Sequence, residues 1–193
     1  NNETYSDIYF EVPQLSLPPE DSKPLVIPFG LPCSGKTILT FRLIRYLDRD
    51  FKCTIYPYSI HCPIWLKCYE SRCTMWERTV YSPYAPGVNG IFTYIFTVYS
   101  RRNGESVCHI IDLPGETCIF ESVPSNYLAT VLSSNRKKIW LLMFDESCLL
   151  EQNRTQYIQS LLSLHRHISP IDKVLIVFNK IDQLGYFADH KTT

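Results

Sequence analysis

The sequence predicts an α/β domain with a mixed, mostly parallel β-sheet and helices on both of its faces. Three observations predict this class. An apolar run at residues 25–29 enters a glycine-containing turn, and a segment with helical periodicity, residues 37–47, follows it. Two more continuous apolar runs, 138–144 and 173–178, are typical of strands buried in a parallel sheet. A hairpin with an Asn-Gly turn lies between the first of these runs and the other two.

Length and composition are those of a single domain with no net charge. A chain of 193 residues can bury a sizeable core, and its 19 basic and 19 acidic residues balance. We therefore expect no nucleic-acid partner. No apolar run is long enough to span a bilayer, and the first residues do not resemble a signal peptide. Several of the eight cysteines lie in or beside predicted strands and helices, so we expect reduced thiols in a cytoplasmic protein.

Residues 1–24 contain four prolines among polar and acidic residues and are expected to form an extended N-terminal arm. The domain proper occupies residues 25–193. It contains an aromatic- and cysteine-rich insert at about 51–89, with a strand at 53–58 and a helix at 63–78.

After the insert the pattern continues as hairpin, helix, strand, helix and strand. Alternating aromatic and β-branched residues predict the hairpin strands, and leucines and isoleucines at helical spacing predict the later helix. The predicted ranges are 91–100 and 107–112 for the hairpin strands, 122–134 and 147–168 for the helices, and 138–144 and 173–178 for two buried strands.

The stretch Gly30–Thr37 fits the phosphate-binding pattern G-x-x-x-x-G-K-[ST] without a mismatch. Its glycines let backbone N–H groups turn inward around an anion, and the helix start adds its positive dipole end. Lys36 would reach the β- and γ-phosphates, and the Thr37 hydroxyl would bind Mg²⁺. A ligand-free Gly/Ser-rich turn is the alternative, but a strand before the loop and a helix after it favour phosphate.

Two further motifs stand at predicted strand ends. Asp112-Leu113-Pro114-Gly115 can hold a magnesium ion through its carboxylate, and the glycine lets a backbone N–H approach the γ-phosphate. In Asn179-Lys180-Ile181-Asp182, the Asp182 carboxylate can accept from both N–H donors of guanine, a pair that adenine lacks. The Lys180 stem can lie along the base plane, and Asn179 can brace the loop. A polar strand-end turn is the alternative for this motif.

Together the three motifs resemble the principal motifs of the translation-factor-related P-loop GTPases, which include the Ras-like small GTPases. The resemblance covers nearly the whole chain after Pro24. It implies a three-layer P-loop NTPase fold, GTP or GDP as ligand, Mg²⁺ as cofactor, and a molecular switch with a protein effector, an activating partner or self-association. The residues it implies are Gly30, Pro32, Cys33, Ser34, Gly35, Lys36, Thr37, Ile38, Asn179, Lys180 and Asp182 for the nucleotide, Thr37, Asp112 and Thr79 for the metal, and Lys36, Gly115 and Glu116 for catalysis.

The chain departs from that family in three places. No threonine in the insert stands out as the switch residue that caps Mg²⁺, and Thr79 is preferred to Thr74. Glu116 occupies the position of a water-orienting glutamine; an ionised glutamate accepts but cannot donate, so we expect slow hydrolysis. The chain ends soon after Asp182, so we expect the last strand and helix of such a domain to be missing.

Other functions remain open on the sequence. A P-loop kinase of small molecules would suit the loop, although no arginine-rich lid stands out. A nucleotide-binding interaction module that never hydrolyses GTP is a further alternative. Zinc is disfavoured for His61, Cys62, Cys68 and Cys73 because they contain no C-x-x-C pair.

Overall fold

The described residues form one six-stranded sheet in which only one strand runs against the others. The structure is a computed structural model that describes residues 17–18, 22–57 and 94–180. The strands are β1 (Leu25–Phe29), β2 (Cys53–Pro57), β3 (Tyr94–Ser100), β4 (Ser106–Asp112), β5 (Lys138–Phe144) and β6 (Lys173–Phe178). Their order across the sheet is β2-β3-β4-β1-β5-β6. Strand β3 is antiparallel to both neighbours, whereas β4, β1, β5 and β6 pair in parallel.

Helices cover both faces of this sheet, which confirms the predicted α/β class. They are α1 (Lys36–Asp50), α2 (Asn126–Ser133) and α3 (Glu151–His165). Helix α1 covers one face, where Phe41 meets Phe96 of β3 edge to face at 5.8 Å between ring centroids. On the other face Leu128 of α2 and Tyr157 of α3 share a core with Trp140 of β5.

The predicted Asn-Gly hairpin joins β3 to β4. Gly104 has a φ of 71°, a left-handed conformation that suits glycine, and its N–H donates to the Ser100 carbonyl at 2.8 Å. The Asn103 side chain accepts the N–H of Glu105 at 3.2 Å, a contact that stabilises such turns. Residues 91–93, where the first hairpin strand was expected to begin, lie outside the described part.

The long helix predicted over 147–168 is wrong in its bounds. Helix α3 starts only at Glu151, and Glu146–Leu149 form a 3₁₀ turn before it. The carboxylate of Asp145 accepts the hydroxyl of Ser147 at 2.5 Å, which stabilises a local turn. Such side-chain hydrogen bonds compete with the helix for the same residues.

The prediction that residues 173–178 are a buried strand is also wrong. Strand β6 has the predicted bounds, but within the described sheet it lies at an edge and pairs with β5 alone. Ile176 is 61% exposed and Phe178 is 69% exposed. A continuous apolar run thus indicates a strand, but the sheet order decides whether that strand is covered.

The end of the predicted N-terminal arm is attached to the sheet by one buried arginine. The Arg136 guanidinium donates to the carbonyl of Pro18 at 3.2 Å and to that of Lys23 at 2.9 Å. Leu17 packs against the core beneath α2 and α3. These contacts fix the chain just before it enters β1.

Candidate functional site

Four polar segments lie at the carboxyl ends of parallel strands, along the edge of the sheet at which these strands end. The loop Gly30–Thr37, called the phosphate loop after its predicted role, follows β1, and Asp112 ends β4. Asp145 follows β5 and Asn179 follows β6. In open α/β sheets this edge is where ligands bind. The sheet order therefore brings the sequence motifs to one place.

Two glycines of the phosphate loop are required for different reasons. A Cβ atom on Gly30 would lie 2.8 Å from the Cβ of Met143, so the loop is pressed against β5. Gly35 has a φ of 89°, and a Cβ there would also lie 2.2 Å from the amide nitrogen of Asn179. A side chain at Gly30 would press on Met143 and Ser34, and one at Gly35 would displace the side-chain amide of Asn179.

Lys36 opens helix α1 and is folded back over the loop. Its side chain is buried, and Nζ donates to the carbonyls of Gly30 at 3.0 Å and Leu31 at 2.7 Å. Nζ also lies 3.5 Å from the hydroxyl of Ser34. The ammonium group is thus held at the mouth of the loop, where phosphate oxygens could replace the carbonyls.

The amide donors of the loop begin after Pro32, which has no N–H of its own. Cys33 has a φ of 62° and an exposed side chain, and Ser34 is buried. Thr37 and Ile38 lie in the first turn of α1, where backbone N–H groups have no partner within the helix. This is the arrangement that favours an anion at a helix start.

Gly115 lies directly against the phosphate loop. A Cβ atom on it would be 2.4 Å from the Cα of Pro32 and 2.9 Å from Nζ of Lys36, so no other residue fits without movement. Asp112 is 2% exposed at the end of β4, and the Glu116 side chain is exposed. The predicted catalytic residues Lys36, Gly115 and Glu116 are therefore neighbours around the loop.

The end of β6 is joined to the phosphate loop by side chains. The amide of Asn179 donates to the Ser34 carbonyl at 2.8 Å, and its backbone N–H donates to Phe144 of β5 at 2.8 Å. Nζ of Lys180 donates to the Cys33 carbonyl at 2.6 Å. The Asn179 amide thus contacts the phosphate loop directly, and its role toward the base stays a prediction.

Several predicted residues lie outside the described part of the chain. They are Asp182 for the base, Thr79 and Thr74 for the switch position, and His61, Cys62, Cys68 and Cys73 for the disfavoured zinc site. Their assignments stay predictions.

Two residues at the site were missed from the sequence. Asp145 is buried and accepts from Lys180 Nζ at 3.0 Å. The Tyr157 hydroxyl donates to the carbonyl of Phe29, the last residue before the loop, at 3.0 Å, and burial raises the pKa of this phenol. Asp145 occupies the same strand-end position as Asp112 and could have been found by that rule. Tyr157 carries no such signal, because it resembles any core aromatic residue of a helix.

The cysteines among the described residues are free thiols; they are Cys33, Cys53, Cys108, Cys118 and Cys148. Burial raises the pKa of Cys108 to about 11 and also raises the pKa of Cys118. Both thiols therefore stay protonated at neutral pH. Cys33 is the exposed one, on the phosphate loop.

The residues present fit a magnesium ion. Mg²⁺ prefers oxygen ligands and is commonly held by one or two carboxylates together with water and phosphate oxygens. The Thr37 hydroxyl and the Asp112 carboxylate are oxygen donors of this kind at the phosphate loop. Within residues 17–18, 22–57 and 94–180, no group of three or more His, Cys, Asp or Glu side chains is placed to hold a metal ion.

Among the described helices, none has the length and hydrophobicity needed to cross a membrane. Comparison with known proteins adds no relative, since no protein-family model, no curated protein and no solved structure matches the chain.

Proposed function

We propose that the chain is a GTP-binding molecular switch of P-loop NTPase fold that hydrolyses GTP slowly with Mg²⁺. The observation that carries this proposal is the 2.8 Å hydrogen bond from the Asn179 amide to the Ser34 carbonyl. It joins the segment that the sequence assigns to the base with the loop that it assigns to the phosphates. One nucleotide can therefore span the ends of β1 and β6.

The phosphate half of the site is made by the loop and the first turn of α1. Lys36 exchanges its two carbonyl partners for phosphate oxygens, and the new hydrogen bonds are stronger because both partners are charged. Mg²⁺, when bound, neutralises negative charge on the phosphate oxygens. Thr37 and Asp112 would hold it, with Thr79 as the switch residue.

The base half selects guanine. The Asp182 carboxylate accepts from the ring N–H and the exocyclic amine of guanine, and adenine would leave it unpaired. Asn179 and Lys180 hold this segment on the phosphate loop through the Ser34 and Cys33 carbonyls.

Glu116 favours a second candidate function, a GTP-binding module that does not hydrolyse its ligand. Its exposed carboxylate can accept from a water molecule but cannot donate toward the γ-phosphate, and its charge opposes the phosphate oxygens. In the first candidate function, by contrast, rapid turnover depends on a partner or on self-association to supply the missing stabilisation, which in GTPases is worth roughly 10³–10⁵ in rate.

Equilibrium binding of GTP, GDP and ATP to the purified chain tests the proposal. We expect GTP and GDP to bind at least about a hundredfold more tightly than ATP. Lys36→Ala should weaken GTP binding by roughly tenfold to a hundredfold, because it removes charge-assisted hydrogen bonds. Lys137→Ala is the matched control, since this exposed lysine directly precedes β5 and lies at the end of that strand away from the site. Equal affinity for ATP and GTP would contradict the proposal.

Single-turnover hydrolysis separates the two candidate functions. We expect a rate well below about one per minute for the isolated chain, in the range of unassisted GTPases. Glu116→Gln should be no slower than the natural chain. Rapid turnover that disappears in Glu116→Gln would reverse the role given to this residue, and a complete lack of turnover would favour the non-hydrolysing module.

A further inference from the structure

We propose that Asp145 is a positioning residue that holds Lys180 on the phosphate loop and thereby slows the release of bound guanine nucleotide. The inference rests on the proposed function, because it concerns the same site. It assigns a determinant of nucleotide retention to a residue that lies outside the three sequence motifs.

The sheet order places Asp145 between the two halves of the site. Strand β5 lies between β1 and β6, and Asp145 directly follows β5. The phosphate loop is therefore on one side of Asp145 and Asn179–Lys180 is on the other. A side chain at this position can reach both segments.

The carboxylate of Asp145 is buried and has both oxygens engaged. Oδ2 accepts from Nζ of Lys180 at 3.0 Å, and Oδ1 accepts the hydroxyl of Ser147 at 2.5 Å. The side chain of Asp145 is 2% exposed, whereas that of Lys180 is 33% exposed. Ser147 thus holds one oxygen of the carboxylate, and the other oxygen holds the ammonium group of Lys180.

Lys180 passes this constraint to the phosphate loop. Its Nζ donates to the Cys33 carbonyl at 2.6 Å while it is paired with Asp145. Cys33 and Lys180 have φ values of 62° and 52°, a left-handed conformation that non-glycine residues adopt only when surrounding contacts hold them. The Asp145–Lys180–Cys33 chain of hydrogen bonds supplies such contacts at both ends.

Loss of the Asp145 charge should therefore loosen Lys180 and the loop together. The ammonium would lose its charged partner, and a hydrogen bond to a neutral amide oxygen at residue 145 would be about half as strong, so the flexible stem would turn more readily toward water. Because the effect reaches the nucleotide through Lys180 and not through the γ-phosphate, GDP and GTP should be released faster by the same factor. We expect about tenfold for each, the size of one charged hydrogen bond.

Release rates of fluorescently labelled GDP and GTP from the natural chain, Asp145→Asn, Lys180→Met and the double variant test this inference. Lys180→Met keeps the apolar stem and removes the ammonium. Each single variant should release both nucleotides about tenfold faster, and the double variant should be no faster than the faster single one, because both changes break the same chain of contacts. An unchanged release rate in Asp145→Asn, or additive effects in the double variant, would overturn the inference.

Asp172→Asn is the matched control for a merely structural effect. As a whole residue Asp172 is 8% exposed and Asp145 is 9% exposed. The two carboxylate oxygens of Asp172 accept the backbone N–H groups of Lys138 at 2.8 Å and Ser169 at 3.0 Å. Asp172 directly precedes β6 and so lies at the amino-terminal end of that strand, away from the candidate site. Its replacement should lower the melting temperature at least as much as Asp145→Asn and leave nucleotide release unchanged. Faster nucleotide release in Asp172→Asn would mean that a general loss of stability explains the faster release in both variants, and would overturn the inference.

Amide hydrogen exchange in the nucleotide-free chain keeps this test separate from the proposed function. Asp145→Asn should speed exchange of the amides of Leu31 and of residues 33–36, and Asp172→Asn should not. If the natural chain binds no guanine nucleotide, the proposed function is wrong, and this exchange result alone decides whether Asp145 positions the loop. Unchanged exchange in Asp145→Asn would then overturn the inference as well.

Discussion

Strands β1 and β6 have nearly the same sequence character but opposite surroundings. Both are continuous apolar runs, and both end in a polar segment of the candidate site. All five residues of β1 are buried between β4 and β5, whereas most of β6 is exposed beside β5. The loop Gly30–Thr37, proposed to bind the phosphates, thus stands on the core, and the segment from Asn179, proposed to bind the base, stands on an edge strand of the described sheet.

The two ends are consequently held in different ways. The phosphate loop is held by close packing at Gly30 and Gly115 in addition to the hydrogen bonds that its carbonyls accept. The segment after β6 is fixed by hydrogen bonds, from Asn179 to Ser34 and from Lys180 to Asp145. Packing in a core is costly to disturb, while single hydrogen bonds contribute modestly and can open. We therefore expect the base side to be the more adjustable half.

The largest expected effect is on stability and compares the same residue type in the two strands. Ile27→Ala should destabilise the fold by about 2–5 kcal/mol, because Ile27 is fully buried in β1. Ile176→Ala in β6 should change stability by less than about 1 kcal/mol, because this side chain is 61% exposed. Urea unfolding of both variants at one pH measures the difference. Equal losses would mean that β6 is covered in solution.

A smaller effect on the free energy of unfolding is expected at alkaline pH, and it arises from Cys108 in strand β4. Burial raises the pKa of Cys108 from 9.0 to about 11. A raised pKa of an acid favours the neutral thiol in the fold, so this stabilisation is complete below pH 9 and is lost as the pH rises through about 11. The loss is at most about 2–3 kcal/mol. Urea unfolding of Cys108→Ala should show a shallower decline over this range, and an unchanged decline would assign it to other groups.

The comparison also explains how much of the molecule could be predicted from the sequence. Local patterns were sufficient for the strand and helix on either side of the loop Gly30–Thr37, for the Asn-Gly hairpin and for the position of Asn179 at a strand end. Each depends on residue types within a few positions or on the rule that parallel strand ends meet. The position of Asp145 follows from the same strand-end rule, but its pairing with Lys180 and the exposure of β6 depend on which strands are neighbours, and hydrophobicity does not encode sheet order.

The central claim is that one nucleotide is held by its phosphates at the end of β1 and read by its base at the end of β6. Competition of labelled GDP by GTP and by xanthosine triphosphate, with the natural chain and with Asp182→Asn, tests it most directly. The amide of the variant can donate to the extra carbonyl of xanthine, which the carboxylate would repel. We predict that the natural chain prefers GTP by at least about a hundredfold and that Asp182→Asn reverses the preference while Lys36 still binds the phosphates. An unchanged order of affinities in Asp182→Asn would contradict the account.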